Sequence, residues 1–513
     1  MVRLDGIFLL FFGLLASTAA SEVPQGSADI PIRVFRDGRP VTGLQPEDFS
    51  VFVADKLRPD ARVSGPTAPG IAAAPSADSQ RTRVLVFHLF GDDPSLRDRI
   101  RAVLEHVLRP GDRLWLILPT RTVLLPRLGD TEALDLAIAA LLPEEIAAAA
   151  AAARGEHQNL NRFMDRIREQ SFRVVDRHGP MDDGEYTGIH LHYYMKGLKS
   201  SLETYLAMAG AYRRGFVWPR VEWLQSLLPR IAPIGSASRA FLFYQAPDIP
   251  TLTSKNRRMI RHWIEELADS ELYDEQEYAR LIFQVLGEID AVFTTVEAGD
   301  ADGMSRPFVN AGFELFPLLR EPLVPPGEDL PPWWNPIAEP MALAAARSGG
   351  RPLTLEDAFR HPDLMEHGEN PHYLLCLHPA AGDAGASLRV EVSDRGCRVF
   401  HPAVIGPSMQ NRDLLTATMV SLGLRQRTLS VSIRCTPSRR DPAAPLDLRV
   451  RARDAAGAWV FDRTKSLGPE ADTLHVRIGF TALPPGPVTF LVELRDTSTA
   501  ISELRILRGI IRN

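Results

Sequence analysis

Three cysteines in 513 residues are too few to staple a fold. Cys376, Cys397 and Cys435 form no Cys-x-x-Cys pair, which excludes a zinc ribbon, and an odd, sparse set argues against a disulfide framework. Cys376 and Cys397 lie in strand-like segments of one region, so a single bridge between them is one reading; three reduced, packed thiols is the other. An excess of one charge is also missing. Lys and Arg number 58 against 64 Asp and Glu, a net charge of −6, and no basic stripe or acidic tail forms. That excludes the footprint of a nucleic-acid binder and a disordered acidic solubiliser. Catalytic fingerprints are absent as well. The chain has no Gly-x-Ser-x-Gly, no His-Glu-x-x-His, no phosphate loop and no dinucleotide fingerprint. Past the N-terminus, no segment reads as long enough to span a membrane.

What is present begins at the N-terminus. Arg3 precedes the apolar run Ile7–Leu15 (IFLLFFGLL), and the small residues ASTAA lead to Ser21. This is the pattern of a secretory signal, residues 1–20, cleaved near Ala20. An uncleaved anchor is the alternative. The expected location is therefore periplasmic, cell-surface or extracellular. With 45% hydrophobic and 24% charged residues, the rest is ordinary globular material, enough for two to four domains.

Residues 27–64 read as a small β module. ADIPIRVF is a strand, Asp37-Gly38 a turn signal, and Pro46 opens one helical turn before FSVFV. Residues 64–80 are a Pro- and Ala-rich linker. From 81 the pattern alternates strand and helix: Val84–Phe87, Leu96–Leu108, Arg113–Leu118, Arg121–Leu125, Thr131–Leu142, Ala240–Tyr244, Asn256–Leu286 and Ala291–Val296. Such alternation predicts a mostly parallel α/β sheet covered on both faces. Residues 144–235 break the rhythm as a helical insertion, with the run Ala147–Ala153 at its start. Residues 322–340 are a Pro-rich connector. MALAAAR, a Gly349-Gly350 break and the strands Tyr373–Leu377 and Ser387–Val392 follow. Residues 411–513 carry about six strands and predict a β-sandwich.

Three stretches are similar to one family. They are IPIRVFRDGRPVTGLQPEDFSVF (30–52), the strand opening VLVF at Val84, and MALAAARSGGRPL (341–353) followed by PHYLLCLHP (371–379) and VSDRGCRVF (392–400). Their order resembles the von Willebrand factor A-related domain proteins of the acidobacterial type. The resemblance spans residues 29–402 and implies a doubly wound, Rossmann-like A-type domain over 81–402. It also implies a divalent metal site: Asp-x-Ser-x-Ser after the first strand, with Thr and Asp from later loops. A hard cation of that kind needs several oxygen ligands. Here His88 stands for the Asp, Phe90 for the first Ser and Asp92 for the second. The later acidic position falls on Gln245 or Ala246, with Asp248 two residues late. The ligand set is incomplete, so no metal or other cofactor is expected. Asp93-Pro94 has a local explanation as a helix cap, Asp92 suits the helix dipole, and His88 is expected to be packed or hydrogen-bonded.

His190 and His192 would share one side of a strand and suit zinc or copper. Their flanks read as helix, where residues two apart diverge. No catalytic residue is assigned. The expectation is an exported, non-enzymatic protein-binding or scaffolding protein with an incomplete metal-dependent adhesion site. The alternatives are an exported hydrolase between insertion and sheet, using His88, Asp92 and His190 or His192, and a structural envelope component. Protein partners are expected. Nucleic acid, and membrane insertion after signal cleavage, are not.

Overall fold

A strand that is apolar along its whole length must be covered on both faces. Thr82–His88 (TRVLVFH) is such a strand, buried at every residue. The computed structural model describes residues 28–36, 39–67, 82–91, 93–126, 128, 131–177, 187–231, 238–247, 249, 258, 260–261, 273–294, 298–320, 334–365, 372–378, 383, 386–403, 405, 417–425, 427–435, 445–468, 473–480 and 483–511. The segment 1–20 and the turn at Asp37-Gly38 lie outside them.

In chain order, β1 (Ala28–Arg36), β2 (Arg39–Pro40), β3 (Phe49–Val53), β4 (Lys56–Leu57) and β5 (Arg62–Thr67) come first. Then follow β6 (Thr82–His88), α1 (Pro94–Val107), β7 (Arg113–Ile117), β8 (Thr122–Leu125), α2 (Thr131–Arg177), α3 (Thr187–Tyr212), α4 (Val221–Ile231) and β9 (Ser238–Gln245). Next are α5 (Tyr273–Thr294), α6 (Ala298–Asn310), β10 (Phe313–Arg320), α7 (Trp334–Ser348), β11 (Leu353–Thr354) and α8 (Leu355–Arg360). The rest is β: β12 (His372–Leu377), β13 (Leu388–Val392), β14 (Arg398–Phe400), β15 (Ala417–Arg425), β16 (Thr428–Cys435), β17 (Leu446–Asp454), β18 (Trp459–Leu467), β19 (Thr473–Gly479), β20 (Gly486–Asp496) and β21 (Ile501–Ile511).

The protein is mixed α/β, and its largest sheet is itself mixed. Ten strands run in the order β11-β10-β9-β6-β7-β8-β21-β20-β17-β18. The first five are parallel, and β8 returns antiparallel to β7. Strand order reverses at β6, which has β7 on one side and β9 on the other. Alternate residues then feed two cores. Val84 and Val86 pack with Ala240 and Leu242 under α3 to α6, while Leu85 and Phe87 pack with Phe241 and Phe243 under α1 and the start of α2.

Several expectations are corrected. The strand expected at Ala291–Val296 is helix as far as it is described, because residues 291–294 end α5. Ile282, Val285, Leu286 and Ile289 set a helical period that Val292 continues, and this outweighs local β propensity. The strand paired beside β9 is instead β10. The helix expected to end at Leu142 runs through Pro143 to Arg177, so the expected insertion starts inside a helix rooted under the sheet. Burial of Leu141, Leu142 and Ile146 offsets the roughly 3 kcal/mol cost of an interior proline. Against expectation, Leu134–Glu169 is therefore long and apolar enough to cross a membrane by length and composition; here much of it is buried in the two cores. The Pro-rich connector 322–340 is not extended to its end, since α7 begins at Trp334.

The expected module and domain limits also shift. β12 pairs with β1 and β5, and β13 pairs with β3. Residues 372–400 thus complete the N-terminal β module rather than closing the α/β region at 402, and the module's first part extends past residue 64 to Thr67. Its core joins Ile32, Val34 and Val53 to Tyr373, Leu375 and Val390. The C-terminal region does pack two sheets, with β15-β16-β19 over β17 and β20. It is not a separate sandwich, because β21 pairs in parallel with β8 and makes one of its sheets a continuation of the central one. Cys376, Cys397 and Cys435 form no disulfide with one another.

Buried charge fastens this joint. Arg121, just before β8, has Nε 2.9 Å from Glu145 of α2 and Nη1 2.7 Å from Glu493 of β20, all three nearly inaccessible. At the other end, the module is anchored through Arg33 of β1, which pairs with Glu314 of β10 at 3.3 Å. Gly349 makes room for that contact, and Gly350 for the main chain of β10. Gly349 has φ +92°, and a β-carbon there would strike the Arg33 guanidinium. A β-carbon on Gly350 would lie 1.9 Å from the Leu315 carbonyl oxygen. Gly350→Ala is therefore expected to lower stability by about 2–3 kcal/mol, read as a lower urea midpoint. An unchanged midpoint would contradict the packing described.

Candidate functional site

The reversal of strand order at β6 opens a crevice at the carboxyl ends of β6 and β9, where α/β sheets place ligands. The residues there follow from strand alternation. His88 continues the face of Val84 and Val86, and Tyr244 continues that of Ala240 and Leu242. The two rings stack at 5.2 Å, with Phe90 edge-on to His88 at 5.0 Å.

Above them, α3 ends in one turn of π-helix, Arg213–Val217. A helix C-terminus leaves carbonyls without intrahelical partners. The sheet supplies them. His88 Nε2 lies 2.7 Å from the Phe216 carbonyl and, as the neutral tautomer, donates to it; the Tyr244 hydroxyl donates to the Val217 carbonyl at 3.0 Å. Arg213 adds a bond to the Val292 carbonyl of α5 at 2.6 Å. Burial lowers the His88 pKa to about 4, against the opposing pull of the two carbonyls, and pushes the Tyr244 phenol up.

The loop after β6 is held as firmly. The Gly91 N–H donates to Gln245 Oε1 at 3.0 Å. Asp93 caps α1, accepting from the Ser95 N–H at 2.9 Å and the Ser95 hydroxyl at 2.8 Å. Arg320, at the end of β10, pairs with Asp93 at 3.1 Å. These bonds, those of Ser95 foremost, hold the Asp93 carboxyl below its usual range. Asp93 thus spends its charge on a helix end and a guanidinium. Asp92 and Asp248 lie outside the described residues. His190 and His192 fall on the helix α3, not on a strand, and their side chains are outside the described set. Among the described residues, no three His, Cys, Asp or Glu side chains come together as a metal would require.

A cleft of about 140 Å³ remains between sheet and helices, lined by His88, Phe90, Thr120, Ala149, Phe216 and Arg220 among others. Its walls are mostly apolar, with the alanine run of α2 forming one side. Thr120 gives both its N–H and its hydroxyl to Glu145, at 3.0 and 2.6 Å, and His88 is committed to Phe216. The described lining pairs no nucleophile with a free base. Sequence reading located His88, Gln245 and the Asp93 cap. It missed Phe216 and Val217, whose part is played by main-chain carbonyls that carry no side-chain signal. It missed Arg320 because the strand that presents it was not recognised.

The buried neutral imidazole makes a pH prediction. Unfolded, His88 takes a proton near its ordinary value of about 6.5; folded, it does so only near 4. Between those values the unfolded state binds the extra proton, so stability falls as pH drops, by up to about 3 kcal/mol. Urea midpoints from pH 7 to 4 are expected to fall less steeply in His88→Gln than in the native protein. Parallel curves would contradict the assignment.

No family model matches the sequence, and no curated protein matches it. Among solved structures, dimeric latent PorU from Porphyromonas gingivalis is similar at a TM-score of 0.16 and 12% identity, over 28% of this chain and 14% of that one. Bacteroides uniformis β-glucuronidase is similar at a TM-score of 0.14 and 15% identity, over 28% of this chain and 19% of that one. The chain spans less than a fifth of either, and likenesses this slight carry no argument about fold or activity.

Proposed function

We propose that this is an exported, non-enzymatic protein-binding or scaffolding protein, built on a doubly wound, Rossmann-like A-type domain of the von Willebrand factor A-related kind with an incomplete metal-dependent adhesion site. In this reading the segment 1–20 is removed on export, no membrane insertion follows, and the protein works in the periplasm, on the cell surface or outside the cell. The reversal of strand order at β6 supports the domain type. Gly349-Gly350, part of the resemblance, has a packing role against Arg33 and Leu315 that would keep such a pair in place.

One observation carries the binding reading. Where an A-type crest needs oxygen ligands aimed at a cation, His88, Tyr244 and Gln245 are each spent on main chain, at Phe216, Val217 and Gly91. The guanidinium of Arg320 sits against Asp93, and a second positive charge there would be repelled. A crest closed in this way serves as a fixed platform for a protein partner rather than as a metal-bridged contact. A hydrolase at the same place gains no support, since the His88 Nε2 that would move a proton is already donated to a carbonyl.

Titration calorimetry of the chelator-treated protein from Ser21 onward, with Mg²⁺, Ca²⁺ and Mn²⁺, tests this. The expected result is no stoichiometric heat and no shift in melting temperature. One-to-one binding abolished by Asp92→Ala or Asp248→Ala would overturn the metal-free platform.

A further inference from the structure

Among the described strands, β14 is the outermost of the larger module sheet and pairs with β1 alone. Next to it stands α6. Between them is a cleft of about 430 Å³, walled by Asp302, Arg306 and Val309 of α6 and by Leu388, Arg398 and Phe400. A second hollow of about 270 Å³ continues past Arg398 and Phe400 to Arg347 and Phe35. The two share Arg398 and Phe400 as a common wall.

Its charge is unbalanced. Among the described lining residues Asp302 is the one carboxylate, and it lies 2.7 Å from Arg347 and 3.5 Å from Arg398. Arg398 remains largely exposed, at 69% of its side chain. Arg306 is exposed one turn further along α6. Three guanidinium groups thus face one carboxylate, on a chain whose net charge is −6. Guanidinium forks favour carboxylates. The neighbouring His401 adds no charge. It is half-buried, and desolvation lowers its pKa; Nε2 accepts from the Val390 N–H at 3.2 Å, and Nδ1 faces the Pro402 carbonyl at 2.8 Å. The floor is apolar, from Val309, Leu388 and Phe400.

A sheet edge beside a helix, with a floor for apolar side chains, is how an extended peptide is taken up as an added strand. We propose that the cleft between β14 and α6 receives an extended, carboxylate-bearing peptide segment of a partner protein, which pairs with β14 and sets its carboxylate between Arg306 and Arg398. Asp302 occupies part of the cationic slot in the free protein and is displaced toward Arg347. A peptide fits better than an anionic glycan because a glycan has no use for the strand edge or the apolar floor. The proposal rests on the protein-binding reading only in expecting a protein partner. It concerns a different face, so metal titration at the crest leaves it untouched.

The test is fluorescence anisotropy of the full chain with a pool of labelled hexapeptides that alternate Glu or Asp with apolar residues. Binding is expected, weakened roughly tenfold or more by Arg398→Glu and by Arg306→Glu. Asp302→Asn is expected to tighten it, and replacing the acidic residues with Lys to abolish it. Melting temperatures of the Arg variants should match the native protein, since both side chains are exposed. Methylating alternate peptide nitrogens should remove binding on one of the two registers. No binding up to millimolar pool, or equal binding by native and Arg variants, would overturn the proposal. Displacement by a heparin oligosaccharide combined with indifference to N-methylation would overturn it in favour of a glycan.

Discussion

The pairing of β8 with β21 is the constraint on which the rest of the architecture turns. Three register pairs, Ile501 with Thr122, Ser502 with Val123 and Glu503 with Leu124, weld the chain's last strand to the α/β sheet. The weld is guarded by charge. Arg121 meets Glu145 and Glu493 out of water, and any separation would strand an unpaired buried ion, a loss typically of about 3–5 kcal/mol. α2 joins in from above, where Glu144 reaches Arg449 of β17 at 3.0 Å and the Ala140 carbonyl accepts from Arg451 at 2.7 Å. One helix therefore clamps both halves of the ten-stranded sheet.

That clamp also shapes the crest. The same α2 carries the alanine wall of the cleft and, through Glu145, holds Thr120 at its rim. Across the cleft, the π-turn that ends α3 is tied down by two of its carbonyls, Phe216 and Val217, which accept from His88 and Tyr244 at the strand ends. A buried imidazole and phenol are well suited to this. Both reach outward from β6 and β9, and both stay neutral and keep their proton at ordinary pH. The outcome is a rigid top surface assembled from groups that elsewhere do chemistry. The module at the other end is held by a different device, Arg33 threaded past Gly349 to Glu314.

Much of the local structure was legible in the residues. Buried strands such as Val84–Phe87 and AFLFY, the Asp93-Pro94 start of α1 and the β character of the last hundred residues each follow from a short pattern. The strand-end residues His88, Phe90 and Gln245 were legible once the strand was placed. What escaped was non-local. Nothing in HYLLCL says that it pairs with Ala28–Arg36 across more than three hundred residues, or that ISELRILRGII finishes a sheet begun at Thr82. Pro143 and the Val-Phe-Thr-Thr run misled because local propensity yields to burial. The bonds that close the crest end on backbone carbonyls, which any residue supplies. Residues 92 and 248 bear on the metal question and lie outside the described set.

Native-state hydrogen exchange followed by mass spectrometry tests the shared sheet most directly. If the α/β sheet and the C-terminal strands are one cooperative unit, amides of β8, β20 and β21 open together with those of β6 and β9, with one common free energy and one denaturant dependence. If peptides covering 446–511 exchange in a separate, less stable step while β6 to β9 stay protected, the weld is not structural and the C-terminal region is an independent domain.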